Sequence, residues 1–253
     1  MDMMGVDRAQ SAAASLIDWW ALAGVSHTVS ETPVNWLAPI AGRDAAASSA
    51  PVHAPLADVA SARALMPETL DAFHAWLARD TTLVEAQWPQ LDAQARRVLP
   101  AGTAAPRLMV IADFPDADDL ATGKLLSGEA GRLFEAMLGA LGQARDSVYL
   151  ASLAVSRPAG GLLSDQDAMA LAERMRHHVA LVGPQHVMLI GDKTSRALLP
   201  MADPVNPLGL RALNLGRATV DAIGIAHPRF LLKHPSAKAQ CWRTMQILLE
   251  AMA

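Results

Sequence analysis

The chain has 253 residues, 52% of them hydrophobic, and a formal net charge of −4. That length supports one α/β domain with an added lobe, or two small domains, with a substantial core. One cysteine, Cys241, excludes an internal disulfide framework and any all-cysteine metal or cluster site built within this chain.

Residues 8–24 read as a helix ending at Gly24, and 25–36 as a polar, extended lead-in. From Leu37 to about Ala60 the composition shifts to Ala, Ser and Pro, as in a linker. The expected organisation is therefore a helical lead-in (1–36), a linker (37–60) and a main domain (61–253). Helices are expected near 59–66 and 69–79, with another around Leu91 to Val98.

From residue 107 a regular rhythm begins. The apolar run Leu108 to Ala112 is a buried strand that stops at Asp113. An acidic loop follows, containing Asp116, Asp118, Asp119 and Gly123, and then a helix over 129–141. The three clustered acids read as a solvated loop, with a divalent-cation site as the alternative; no metal site is assigned. A second strand is expected over Val148–Val155 and a helix over 165–182, N-capped by Ser164. A third strand over His186–Ile190 ends at Gly191-Asp192, before a short helix at 194–199. A Pro-rich loop leads to a fourth strand over 219–226, ending at His227-Pro228, and to a last helix over 237–251. Strand–helix alternation of this length predicts a three-layer αβα fold around a four-stranded parallel sheet. The C-terminal strand ends then gather Asp113, Ser152 to Arg157, Asp192 and His227 on one rim, where open α/β sheets place their sites.

Charge is uneven. Residues 191–243 hold eight basic side chains, including Lys193, Arg196, Arg229 and Lys233, against three acidic ones. A basic face on an acidic protein suits phosphate binding. No apolar run reaches membrane-spanning length and no leader is recognised, so a cytoplasmic protein with no membrane partner is expected.

The order of rim motifs resembles the uracil-DNA glycosylase superfamily, most nearly its iron–sulfur (family 4) branch. The resemblance rests on Ala112-Asp113-Phe114-Pro115-Asp116, on Gly123 through Gly128 with Gly131, and on Tyr149-Leu150-Ala151-Ser152. Ser156-Arg157-Pro158, Ile190-Gly191 and His227-Pro228-Arg229-Phe230-Leu231-Leu232 complete it. It implies hydrolysis of the N-glycosidic bond of a deaminated base flipped out of DNA. By that resemblance Asp113 would place the attacking water and His227 would stabilise charge developing on the base, an oxyanion-type role. Phe114, Leu126 and Ser152 would line the base pocket, and Arg157, Lys193, Arg196, Arg229 and Lys233 would contact DNA.

The departures are as informative. Leu126 stands where the family has a stacking Phe, Ser152 where it has a base-reading Asn, and Asp116 where it has Gly. Ser156 stands at one cluster-cysteine position and another falls near Leu171, so the family's 4Fe–4S cofactor is expected to be absent. The expectation is a diverged, weak or inactive glycosylase that binds DNA or a protein partner through its basic C-terminal face. The alternative is an active glycosylase. Each residue also has a plain structural role open to it. Asp113 and His227 could cap local turns, Ser152 bond to backbone, Leu126 pack, and Arg157 pair with a nearby acid such as Asp165.

Overall fold

The computed structural model describes residues 66–88, 97–199, 209–216 and 218–253, all within the compact unit His53–Ala253. The expected lead-in, the linker, and most of the expected 59–66 and 91–98 helices lie outside the described residues.

Five strands form one sheet: β1 (Leu108–Ala112), β2 (Tyr149–Ser152), β3 (His186–Ile190), β4 (Arg211–Asn214) and β5 (Thr219–Ile225), in the order β2-β1-β3-β5-β4. The first three and β5 are parallel, and β4 pairs antiparallel with β5. The fold is thus α/β as expected, with one strand more than the four anticipated. β4 has four residues and only Leu213 is buried, so it offers no apolar run to read.

Seven α-helices are described: α1 (Leu70–Arg79), α2 (Ala117–Thr122), α3 (Gly128–Ala140), α4 (Asp165–Val182), α5 (Asp192–Leu198), α6 (Pro228–Lys233) and α7 (Lys238–Ala251). Local signals account for the long ones. Ser164 accepts the Asp167 N–H at 3.1 Å to start α4, and Gly183 ends it in the left-handed conformation, φ +64°. The short helices α2 and α6 fall in stretches that the sequence reads as loop or strand end.

Strand alternation builds the layers. Leu108, Val110, Met188, Ile190, Ile223 and Ile225 face one side, against Phe134 and Leu138 of α3, Leu231 of α6 and Met245 and Leu248 of α7. Met109, Ile111, Val187, Leu189 and Ala222 face the other, against Met175, Val179 and Val182 of α4. β2 stops earlier than expected. Beyond Ser152 the chain follows the β1 exit, Leu153 N–H donating to Ala112 O and Ala154 N–H to Asp113 O. Val155 then joins Phe73 and Leu77 of α1 in a separate cluster.

Candidate active site at the strand-end rim

Because four strands run parallel, their C-terminal exits open on one rim. A cleft of about 370 Å³ lies there. It is lined by Asp113 and Phe114 after β1, Arg157 and Gly161 after β2, Lys193 in α5 after β3, and His227, Arg229 and Lys233 after β5. Both expected catalytic residues and four of the five expected DNA-contacting residues therefore meet in one place. Arg196 does not line this cleft; it pairs with Asp192 at 2.9 Å on the exposed side of α5.

His227 is the N-cap of α6, ahead of Pro228 at the first helical turn. Its Nδ1 accepts the Arg229 N–H at 3.1 Å. A neutral ring in this setting carries its proton on Nε2. Burial pushes the imidazole pKa down, and the charges of Asp113 and Asp116 oppose that without cancelling it. A neutral imidazole with an Nε2–H is a donor suited to an oxygen that gains negative charge. Asp113 is half-buried, and its Oδ1 accepts the Phe114 N–H at 2.9 Å. That bond fixes the carboxylate at the end of β1.

Phe114 is 7% exposed and packs on Ala154 and Leu171. The Arg157 guanidinium carbon lies 5.3 Å and Lys193 Nζ 4.8 Å from its ring centre, within cation–π range. Lys193 Nζ also donates to Gly161 O. The ring face is thus covered by cations.

Leu126 and Ser152 are placed elsewhere. Leu126 is buried in the core with Leu108, Val110 and Phe134. Its φ of +52° turns the chain through the left-handed region just before α3, uncommon for a bulky residue. Its carbonyl is held by Arg145 Nη2 at 2.8 Å. Ser152 is 4% exposed, and its hydroxyl donates to Ala154 O at 2.7 Å. Neither side chain lines the cleft.

The acidic loop is solvated only in part: Asp118 is exposed, whereas Asp116 and Asp119 are buried. Asp119, 3% exposed, ties the loop shut: one oxygen accepts the Asp116 N–H at 3.0 Å and the other the Ser127 N–H at 2.7 Å. Asp116, 8% exposed, accepts from Arg157 Nη1 at 2.7 Å and is bonded to both outer nitrogens of Arg229. Arg157 thus pairs with Asp116, not with Asp165. Among the described residues no group of three or more His, Cys, Asp or Glu side chains could hold a metal ion.

A family model described as the uracil DNA glycosylase superfamily matches residues 99–247. The chain belongs to the uracil DNA glycosylase superfamily. The match takes in every lining residue of the rim cleft. It makes the protein DNA glycosylase-like and the fold uracil-DNA-glycosylase-like. The residues do not fit an iron–sulfur cluster of the kind one branch of the superfamily carries. Such a cluster needs several thiolates, and Cys241 is on the buried face of α7, packed into the core. At one expected ligand position stands Ser156, a buried serine, and near the other Leu171 packs among Phe114 and Ala154. Among the described residues no helix is long and apolar enough to cross a membrane.

The Asp116 ion pairs were missed by sequence reasoning. Their partners stand 41 and 113 residues away, and the one available signal was an acid at a position where the family pattern has glycine.

Proposed function

We propose that this protein is a diverged member of the superfamily that engages DNA at the rim cleft, with its glycosylase chemistry weak or lost. The observation that carries the reading is the placement of Leu126 and Ser152. A flipped base needs a stacking surface, worth about 1–3 kcal/mol, and donors and acceptors matched to its edge. The side chains at those two positions are turned into the core and onto the backbone. Arg157, Lys193, Arg229 and Lys233 support the DNA-binding half of the proposal, because they converge on the cleft. A protein partner at the same basic rim is the variant of this reading that does without DNA. The proposal includes a cytoplasmic protein that works without an iron–sulfur cluster.

A second reading, an active glycosylase, is favoured by Asp113 and His227 lining one cleft. Asp113 would hold the water, and the Nε2–H of His227 would take up charge on the departing base. Single-turnover incubation with DNA containing uracil, hypoxanthine or xanthine, single- and double-stranded, separates the two. The expected result is no cleavage above that of His227→Ala, together with DNA binding that weakens steeply with salt. Cleavage abolished by His227→Ala overturns the proposal in favour of the enzyme. Absence of both cleavage and binding leaves the protein-partner form.

A further inference from the structure

Asp116 has the coordination of a bound anion rather than of a surface acid. Its carboxylate is taken by two guanidiniums that converge from separate strand exits, Arg157 after β2 and Arg229 in α6. The carboxylate side chain is 12% exposed, whereas those of Arg157 and Arg229 are 35% and 40% exposed. The arginines therefore present their outer faces to the cleft, beside Lys193 and Lys233. Four cationic side chains meet two carboxylates there, Asp113 and Asp116, so the lining keeps a positive excess. Two forked guanidiniums converging on one oxyanion are also the donor set that a phosphate takes.

We propose that Arg157 and Arg229 form a binding site for a backbone phosphodiester of DNA, and that Asp116 is the built-in anion that holds this site closed. The inference rests on the DNA-binding reading above. Opening requires the side chain of Asp116 to move, not the loop. The Asp116 backbone is held separately by Asp119, whose carboxylate accepts its N–H. A phosphate must outcompete a tethered carboxylate, so the apparent affinity for DNA falls by the fraction of molecules in which the site stands open.

Asp116 is also the N-cap of α2, so the test is Asp116→Asn, which keeps the shape and a favoured N-cap residue while removing the charge. Asp116→Gly is the companion variant, and melting by circular dichroism confirms that each folds. With a short single-stranded oligonucleotide at about 0.1 M salt, Asp116→Asn is expected to bind about tenfold tighter than wild type, with a log–log salt slope steeper by about one. Adding Arg157→Ala should reverse the gain. A DNA-free arm uses inorganic phosphate against chloride at matched ionic strength. Phosphate should raise the Tm of Asp116→Asn and leave the Asp116→Asn/Arg157→Ala double variant unmoved. If wild type binds DNA, Arg229→Ala weakens it and Asp116→Asn changes nothing, the gate is refuted and DNA binding stands. If phosphate stabilises Asp116→Asn but no form binds DNA, the anion site holds and its assignment to DNA is refuted. If phosphate stabilises neither variant and affinity is unchanged, the anion site is refuted outright.

Discussion

Arg174 and Glu85 form an ion pair sealed from water: the residues are 6% and 1% exposed, with both outer guanidinium nitrogens on the carboxylate. Arg174 also donates to Leu153 O at 2.8 Å, and Glu85 accepts the Val155 N–H at 2.9 Å. Three pieces of chain are thereby joined: α4, the turn at Val84–Gln87 and the exit of β2. Burial opposes ionisation of Glu85, but Arg174 and the backbone N–H groups together outweigh it and hold the carboxyl below its ordinary range.

Glu85→Ala leaves a buried guanidinium without its counter-charge. The expected loss is about 3–5 kcal/mol, read as a lower urea midpoint. A depressed carboxyl stabilises the fold above its unfolded pKa, and that contribution fades as pH falls through the folded value. Wild type should therefore lose stability below about pH 4.5, the ordinary glutamate value, and Glu85→Ala should show a shallower acid limb.

Tyr149 bridges two imidazoles. Its hydroxyl lies 2.6 Å from His74 Nε2 and 2.8 Å from His178 Nε2. A hydroxyl has one proton, so at most one ring accepts from it and at least one ring must donate to it. Burial pushes His178 down to about 3 and lowers His74 as well. Tyr149→Phe strands two ring nitrogens and is expected to cost about 1–3 kcal/mol in a thermal melt. The depressed histidines stabilise the fold above their unfolded pKa of 6.5. Tm should fall as pH drops from there towards about 3.

Gly131 lies where a Cβ would stand 2.1 Å from Leu126 O. That carbonyl is pinned by Arg145 and belongs to the left-handed turn at Leu126. Gly131→Ala should cost about 3 kcal/mol or more. Arg145→Ala/Gly131→Ala should then lose less than the sum of the single changes, because the turn regains room to shift.

His227 should titrate below 6.5 in an NMR pH series, since burial lowers it. Asp113 is the strongest of the charges that oppose this. Asp113→Asn is therefore expected to move the midpoint lower still. An unchanged or higher midpoint would show that the two groups do not interact across the cleft.

The sheet was largely legible because its parts carry local signals. Leu108 to Ala112 is an unbroken apolar run, and α4 has both its cap residues in sequence, Ser164 and Gly183. β4 escaped notice because an edge strand with one buried residue shows no alternation. Within the site, Asp113 and His227 were legible as polar residues that end strands. Packing was an open role for Leu126, but its left-handed turn and the ion pairs of Asp116 were not legible. The first is a backbone turn that an ordinary leucine does not announce, and the second depends on two arginines brought near only by the assembled sheet.

Asp113, Arg157, Lys193 and His227 each sit on a different strand exit, and no single stretch of chain holds two of these corners of the cleft. The register that aligns them, Ala112 with Ser152 and Ile190 with Ile225, tolerates no slip. A one-residue shift of β5 would send its side chains to the opposite face. Occupancy of this cleft is therefore a readout of the whole sheet. A ligand held there would stabilise four strand exits together, and a fragment missing any one strand would have no partial site to offer.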